Sequence, residues 1–134
     1  MQMVKDFHVD DKVYIGHMAS AVRQDELLSL LTARLYASFQ AAASVGAEMD
    51  EKATSIMLMS LPADQKAKVV DILTEKVTLQ GTEIRVSPKD FQGRMVAWNR
   101  FLAQLLIWNL SDFFELLRSD QKADEAQATA SQAQ

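Results

Sequence analysis

Residues 98–114, WNRFLAQLLIWNLSDFF, hold both tryptophans of the chain and three of its six phenylalanines. On a helical wheel at about 100° per residue, the longer run 91–118 is apolar nearly all round. Phe91, Met95, Trp98, Phe101, Leu102, Leu105, Trp108, Phe113 and Leu116 cover one broad face, and Val96, Leu110 and Phe114 extend it towards the back, where Ile107 also sits. The continuous polar stripe is narrow: Arg100, Gln104, Ser111, Glu115 and Arg118. A surface helix of a small domain keeps a wide polar side, whereas a helix apolar all round is buried on most sides.

Two arrangements satisfy that requirement. Other helices of the same chain cover the segment, or part of it is covered by another protein or another copy, as large apolar patches are at interaction sites. Aromatic residues also supply the anchors of interfaces more often than other types do. The expected division is core for Phe91, Met95, Trp98, Leu102 and Leu105, and exposed or partner-covered for Phe101, Trp108 and Phe114. Phe101, Trp108, Phe113 and Phe114 are thus the candidate protein-binding residues. Asn109 and Asp112 project among the apolar side chains, and a buried amide or carboxylate is costly unless hydrogen-bonded. The simplest resolution is a break near Asn109-Leu110-Ser111, with Ser111 or Asp112 capping a short final helix.

The rest of the chain predicts the elements that would surround this segment. FHVDDKVYI, residues 7–15, alternates apolar and polar residues about Asp10-Asp11. It reads as a hairpin in which Phe7 and Val9, then Val13 and Ile15, lie on common faces; Gly16 lets the chain leave the sheet. Ser20 is a plausible N-cap for a helix from about Ala21 to Ala43. Leu27, Leu31, Leu35 and Phe39 make its apolar stripe, Leu28 and Tyr36 broaden it, and Ser44-Val45-Gly46 ends it. Asp50 caps a short helix carrying Ile56, Met57 and Met59, which stops at Leu61-Pro62 because proline lacks an amide proton. Pro62 then starts a helix running to about Lys76, with Val69, Val70, Ile72 and Leu73 buried. Residues 77–86 read as a second short hairpin or extended connection. Ser87-Pro88-Lys89-Asp90 is a strong helix start, opening a helix over 88–118.

These elements predict a mainly α fold of about four to five helices with a small N-terminal β-hairpin. Residues 1–118 are expected to form one domain, and 119–134, polar and rich in Ala and Gln, a disordered tail with nothing to anchor it. A chain of 134 residues is long enough to bury a real core unaided. The absence of cysteine excludes disulfides, thiolate metal sites and cysteine nucleophiles. A net charge of −4 argues against non-specific binding to nucleic acid or an anionic membrane. The start is too polar for a signal peptide. No run reaches the roughly 18–20 apolar residues of a membrane span, so the expectation is a soluble, intracellular chain.

Chemistry is not legible in any motif. His8 and His17 flank the hairpin near Asp10 and Asp11 but meet no metal-ligand spacing, and surface histidines are the simpler reading. Gly16, Gly46, Gly81 and Gly93 form no phosphate-binding loop; Gly93 is explained by close packing or by tolerance alone. Lys66, Lys68 and Lys76 read as the solvated face of a helix. No catalytic, cofactor-binding or metal-binding residue is assigned, and no enzyme is expected.

The order of parts does carry a resemblance. A strand pair, FHVDDKVYI, leads into SAVRQDELLSLLTARL; after a variable middle comes DFQGRMVAWNRFLAQLLIWNLSDFF with its Asn-x-x-Asp-Phe-Phe ending. Over about residues 7–117 this resembles the tail assembly chaperones of long-tailed, lambda-like phages. The most specific part of the likeness is Trp108 to Phe114. The resemblance implies a non-enzymatic protein of the host cytoplasm, absent from the mature virion. It would bind the long helical tape measure protein, keep it soluble and help tail tube protein polymerise around it. Such a protein could hold client helices in grooves between its own, and many copies on one client would gain avidity. The alternative is a structural or adaptor subunit of an obligate oligomer, with the aromatic C-terminal helix at its interface; such a subunit has no stable folded monomer.

Overall fold

A computed structural model describes residues 3–119. The chain is mainly α with a small antiparallel sheet. The expected tail therefore lies, beyond Ser119, outside the described residues. Strands β1 (Val4–Val9) and β2 (Lys12–His17) form the hairpin, with Val9 opposite Lys12 across a two-residue turn. Asp10 takes a positive φ of 55° there, a left-handed conformation that a short polar side chain tolerates and a two-residue hairpin turn needs. Phe7 pairs with Tyr14, and these two are the buried side chains of the hairpin. The inner face of β2 is thus Tyr14 and Gly16, while Val13 and Ile15 stand on the other face, half-buried.

Helix α1 (Ala21–Ser44) starts at Ser20, whose side chain accepts from the Arg23 amide, and buries Leu27, Leu31, Leu35 and Phe39. Tyr36, expected to widen that stripe, is 50% exposed. Helix α2 (Glu51–Met59) is capped by Asp50, which accepts from the Ala53 amide at 2.8 Å. It buries Met57 and Leu58 and leaves Ile56 and Met59 exposed. After Pro62, helix α3 (Ala63–Thr74) buries Val69, Ile72 and Leu73. Arg23 of α1 binds Asp71 of α3 and Glu75 just beyond its end, as well as its own Glu26. Arg85, and next Arg23, hold the Asp71 carboxyl below the usual carboxylate range.

Strand β3 (Val77–Leu79) does not stand apart as a second hairpin. It pairs with β2 and completes a three-stranded sheet in the order β1-β2-β3. The return limb makes one antiparallel bridge, Thr78 to Arg85, closed by Val86 N–H to the Val77 carbonyl and Leu79 N–H to the Ile84 carbonyl, each at 3.0 Å. Local pattern marked both extended segments, but which strand each would pair with is a long-range matter.

The helix expected over 88–118 is three pieces. Ser87 and Asp90 form a full capping box, yet they open only a 3-10 turn, Pro88–Phe91. Gly93 then takes φ +81°, with nothing near the position a Cβ would occupy. Its role is left-handed backbone, not close packing. Helix α4 (Met95–Asn109) begins after it, and a final helix, α5, covers residues 111–119 beyond a break at Leu110. Restarting the helix at Met95 puts that residue, expected in the core, at the rim of the first turn and 46% exposed.

The break at Asn109 is where it was expected; Ser111 and Asp112 lie in the first turn of α5 rather than before it, and Asp112 Oδ1 accepts from the Phe113 amide there at 2.8 Å. Asn109 is buried and fully used: Nδ2 donates to the Leu105 carbonyl at 2.9 Å, and Oδ1 accepts from the Ala19 amide at 2.9 Å. Its own carbonyl accepts from Gln24 Nε2. The amide therefore ties the α4–α5 break to the β2–α1 connection. Replacing Asn109 by alanine leaves the Ala19 N–H without its acceptor, and about 1–2 kcal/mol of stability is expected to go. Urea unfolding of the two chains measures it; an unchanged midpoint would show the contact to be dispensable.

Lys66 differs most from its expected solvated placement. Its Nζ donates to the Leu58 carbonyl in the last turn of α2 at 2.9 Å and to Oδ1 of buried Asn99 on α4. Loss of hydration lowers its pKa below the ordinary lysine value of 10.5. The folded chain gives up this proton at a lower pH than the unfolded chain. Between the two pKa values the unfolded state binds more protons, so stability rises with pH in that window. Relative to a Lys66→Met variant, the wild-type chain should gain stability as pH climbs towards 10.5. Paired unfolding series read this directly, and a pH-independent difference would contradict the placement.

Candidate protein-binding surface

The aromatic segment meets the sheet at one dense cluster. Phe101 lies at its centre, with ring centroids 5.3 Å from Tyr14, 5.7 Å from Phe7, 6.1 Å from Phe91 and 6.5 Å from Trp98. Offset and edge-on pairs at these separations are favourable beyond the area they bury. Burial, then the nearby carboxylates of Asp90 and Asp11, raises the Tyr14 hydroxyl pKa.

The four candidate binding residues divide in two. Phe101 and Phe114 are interior, 1% and 2% exposed, which corrects the expectation that they lie open or under a partner. Phe101 is claimed by the sheet, since Phe7 and Tyr14 project onto α4 from a pair of strands whose position no wheel contains. Phe114 is turned inward together with Leu117 because the break at Leu110 re-aims α5. Leu116, placed by the wheel on the broad apolar face, is exposed instead. Phe113 and Trp108 are half-buried and keep part of their surface in solvent. Of the expected core residues, Phe91, Trp98, Leu102 and Leu105 are buried as anticipated.

Trp108 stands on the flank of α4, edge-on to Phe7 at 5.5 Å. Beside it runs a trench between that flank and β1. One part, a cavity of about 450 Å³, lies against Lys5 to His8 on the strand side and Gln104, Ile107 and Trp108 on the helix side. A second part, about 230 Å³, continues along Val9 and Asp10, with His8, Glu51 and Gln104 common to both. Glu51 reaches the trench from α2 and is held by Arg100 Nε and Gln104 Nε2, each at 3.2 Å. Arg94 pairs with Asp10 at the far end, and the Lys5 ammonium sits over the Phe7 ring at 5.5 Å.

Arg100 and Gln104, the narrow polar stripe of the wheel, are therefore a wall of this trench. Lys5, Asp6 and Glu51 carried no sequence signal for it, because strand order and the docking of α2 on α4 bring them there. His8 pairs with Val13 and His17 with Val4, at opposite ends of the hairpin. Among the described residues no three His, Asp or Glu side chains gather as metal ligands would. No helix of the described residues is long and apolar enough to cross a membrane. Set against protein-family models, curated proteins and solved structures, the chain shows no match.

Proposed function

We propose that this chain is a non-enzymatic binding protein, a tail assembly chaperone of long-tailed phages that holds the tape measure protein in the host cytoplasm. In this role it keeps its client soluble while tail tube protein polymerises, and it leaves before the virion is complete. The observation that supports the reading is the trench beside half-buried Trp108, in the stretch where the sequence resemblance is most specific. Aromatic anchors that are partly covered in the free protein and desolvated on binding dominate interfaces. Scattered aliphatic side chains, Ile56 and Met59 on α2 and Val96 on α4, remain exposed as well and offer further apolar contact.

The test is co-purification with the protein encoded next downstream, followed by mass measurement of the complex. Several copies of this chain on one long partner is the expected result; a monomer that ignores its neighbour overturns the reading. Within such a complex, Trp108→Ala should weaken association by about 2 kcal/mol, more than it lowers the unfolding free energy of the free chain. The opposite order would place Trp108 in the fold and not in the contact.

A further inference from the structure

Among the described residues β1 is an edge strand of the sheet, and its outer edge faces the trench. In an antiparallel pair, successive residues alternate between bonding to the neighbouring strand and turning their N–H and C=O away from it. Met3 already accepts from the Met18 amide at 2.8 Å, and Val9 closes the two-residue turn opposite Lys12. Lys5 and Phe7 therefore bond towards β2 as well, and Val4, Asp6 and His8 direct their main-chain groups outwards. No backbone hydrogen bond among the described residues engages Asp6 or His8 on that side. The trench is lined by consecutive strand residues, Lys5 to His8 and then His8 and Val9, with the turn residue Asp10 at its end. A hollow on one face of a strand would touch alternate residues; one that touches every residue runs along the edge.

From this we infer that the β1 edge and the Trp108 flank of α4 form a slot for an extended, uncharged peptide segment of a partner protein, held as an added β-strand. The main chain of the segment pairs with Asp6 and His8. Every second side chain enters the larger cavity against Ile107 and Trp108, and those between them point to solvent. A helix laid here would leave the main-chain groups of Asp6 and His8 unmet, its own being internally bonded, so a largely helical client would engage the slot through a non-helical stretch. Along the slot Arg100 pairs with Glu51 and Arg94 with Asp10, while Lys5 and Asp6, in no ion pair among the described residues, carry opposite charges at adjacent strand positions. A charged segment thus finds no unmatched row of opposite charge, which is why an uncharged one fits. Six strand residues span about 20 Å at roughly 3.3 Å each, enough for a segment of similar length.

This inference rests on reading the chain as a binding protein. Its test uses no tape measure protein, so its failure and that of the chaperone reading can be told apart. Random nine-residue peptides in a displayed library are selected on the full chain, and the recovered peptides are synthesised with capped ends. The expected peptides alternate apolar and polar residues and slow amide exchange at Asp6 and His8 at least tenfold. They should lose at least tenfold in affinity when alternate peptide amides are N-methylated, and also on Asp6→Pro, which removes an outward N–H that the fold does not use. The methylated peptides, tried on the unmodified chain, keep the test decisive even where the proline variant fails to fold. Recovering no peptide, or only peptides with helical spacing, or peptides that bind equally after methylation, overturns the slot. Protection of Asp6 and His8 in the chain alone, growing with its concentration, overturns it too, since a second copy would then be the occupant.

Discussion

Replacing Phe101 by alanine should lower the unfolding free energy by about 3–5 kcal/mol, the range for emptying a fully buried aromatic site. Phe101 is 1% exposed and is ringed by Phe7, Tyr14, Phe91 and Trp98. The hole left behind is bounded by rings fixed to three different elements, β1, β2 and the Pro88–Phe91 turn, besides α4 itself, so it cannot close by moving one of them. A domain of this size is stable by only about 5–15 kcal/mol, so the loss is a large share of the total. Urea denaturation followed by tryptophan fluorescence reads the change. A loss below about 1 kcal/mol would mean that the residue is peripheral and would restore it as a candidate contact.

Placing valine at Gly16 should cost about 3 kcal/mol, towards the upper end for forcing extra carbon into a packed site. A Cβ at this position comes within 2.8 Å of Phe7 Cε2 and 3.4 Å of Trp108 Cζ3. Phe7 is held by Phe101 on one side and Trp108 on another, so its ring could yield only by turning into the trench. Gly16 remains in the paired region of β2, opposite Lys5 and Val77, so its role is the close approach of an aromatic ring and not release of the chain from the sheet. Thermal unfolding of Gly16→Val beside Gly16→Ala tests this: both should destabilise, valine more. A neutral valine variant would show that the Phe7 ring is not held.

The binding consequences follow from the same contacts. Trp108 is kept upright by Phe7, and Phe7 by the absence of a side chain at Gly16. A change at Gly16 should therefore disturb the trench as well as the core, whereas Asn109→Ala acts at the α4–α5 break and is expected to spare the strand edge. Comparing the peptide affinities of these two variants separates loss of the slot from loss of stability in general.

Residues close in sequence determined much of this protein. Caps at Ser20, Asp50 and Ser87, the breaks at Gly46 and Leu61-Pro62, the stripe Leu27–Leu31–Leu35–Phe39 and the hairpin turn at Asp10-Asp11 all depend on interactions across a few positions, and each is found where its local pattern places it. Even the interruption at Asn109 was legible, because an amide in an apolar run demands a partner. What local pattern could not carry was the pairing of distant parts. The wheel treated residues 91–118 as one helix, and the left-handed Gly93 together with the break at Leu110 re-aimed its ends, exposing Met95 and burying Phe114. Packing decided that Phe101 belongs to the sheet, that Lys66 turns inward to Leu58 and Asn99, and that β3 joins β2. The open edge of β1 was likewise settled only in three dimensions. A strand is an edge or a centre according to which distant segment reaches it, and no property of its own side chains contains that information.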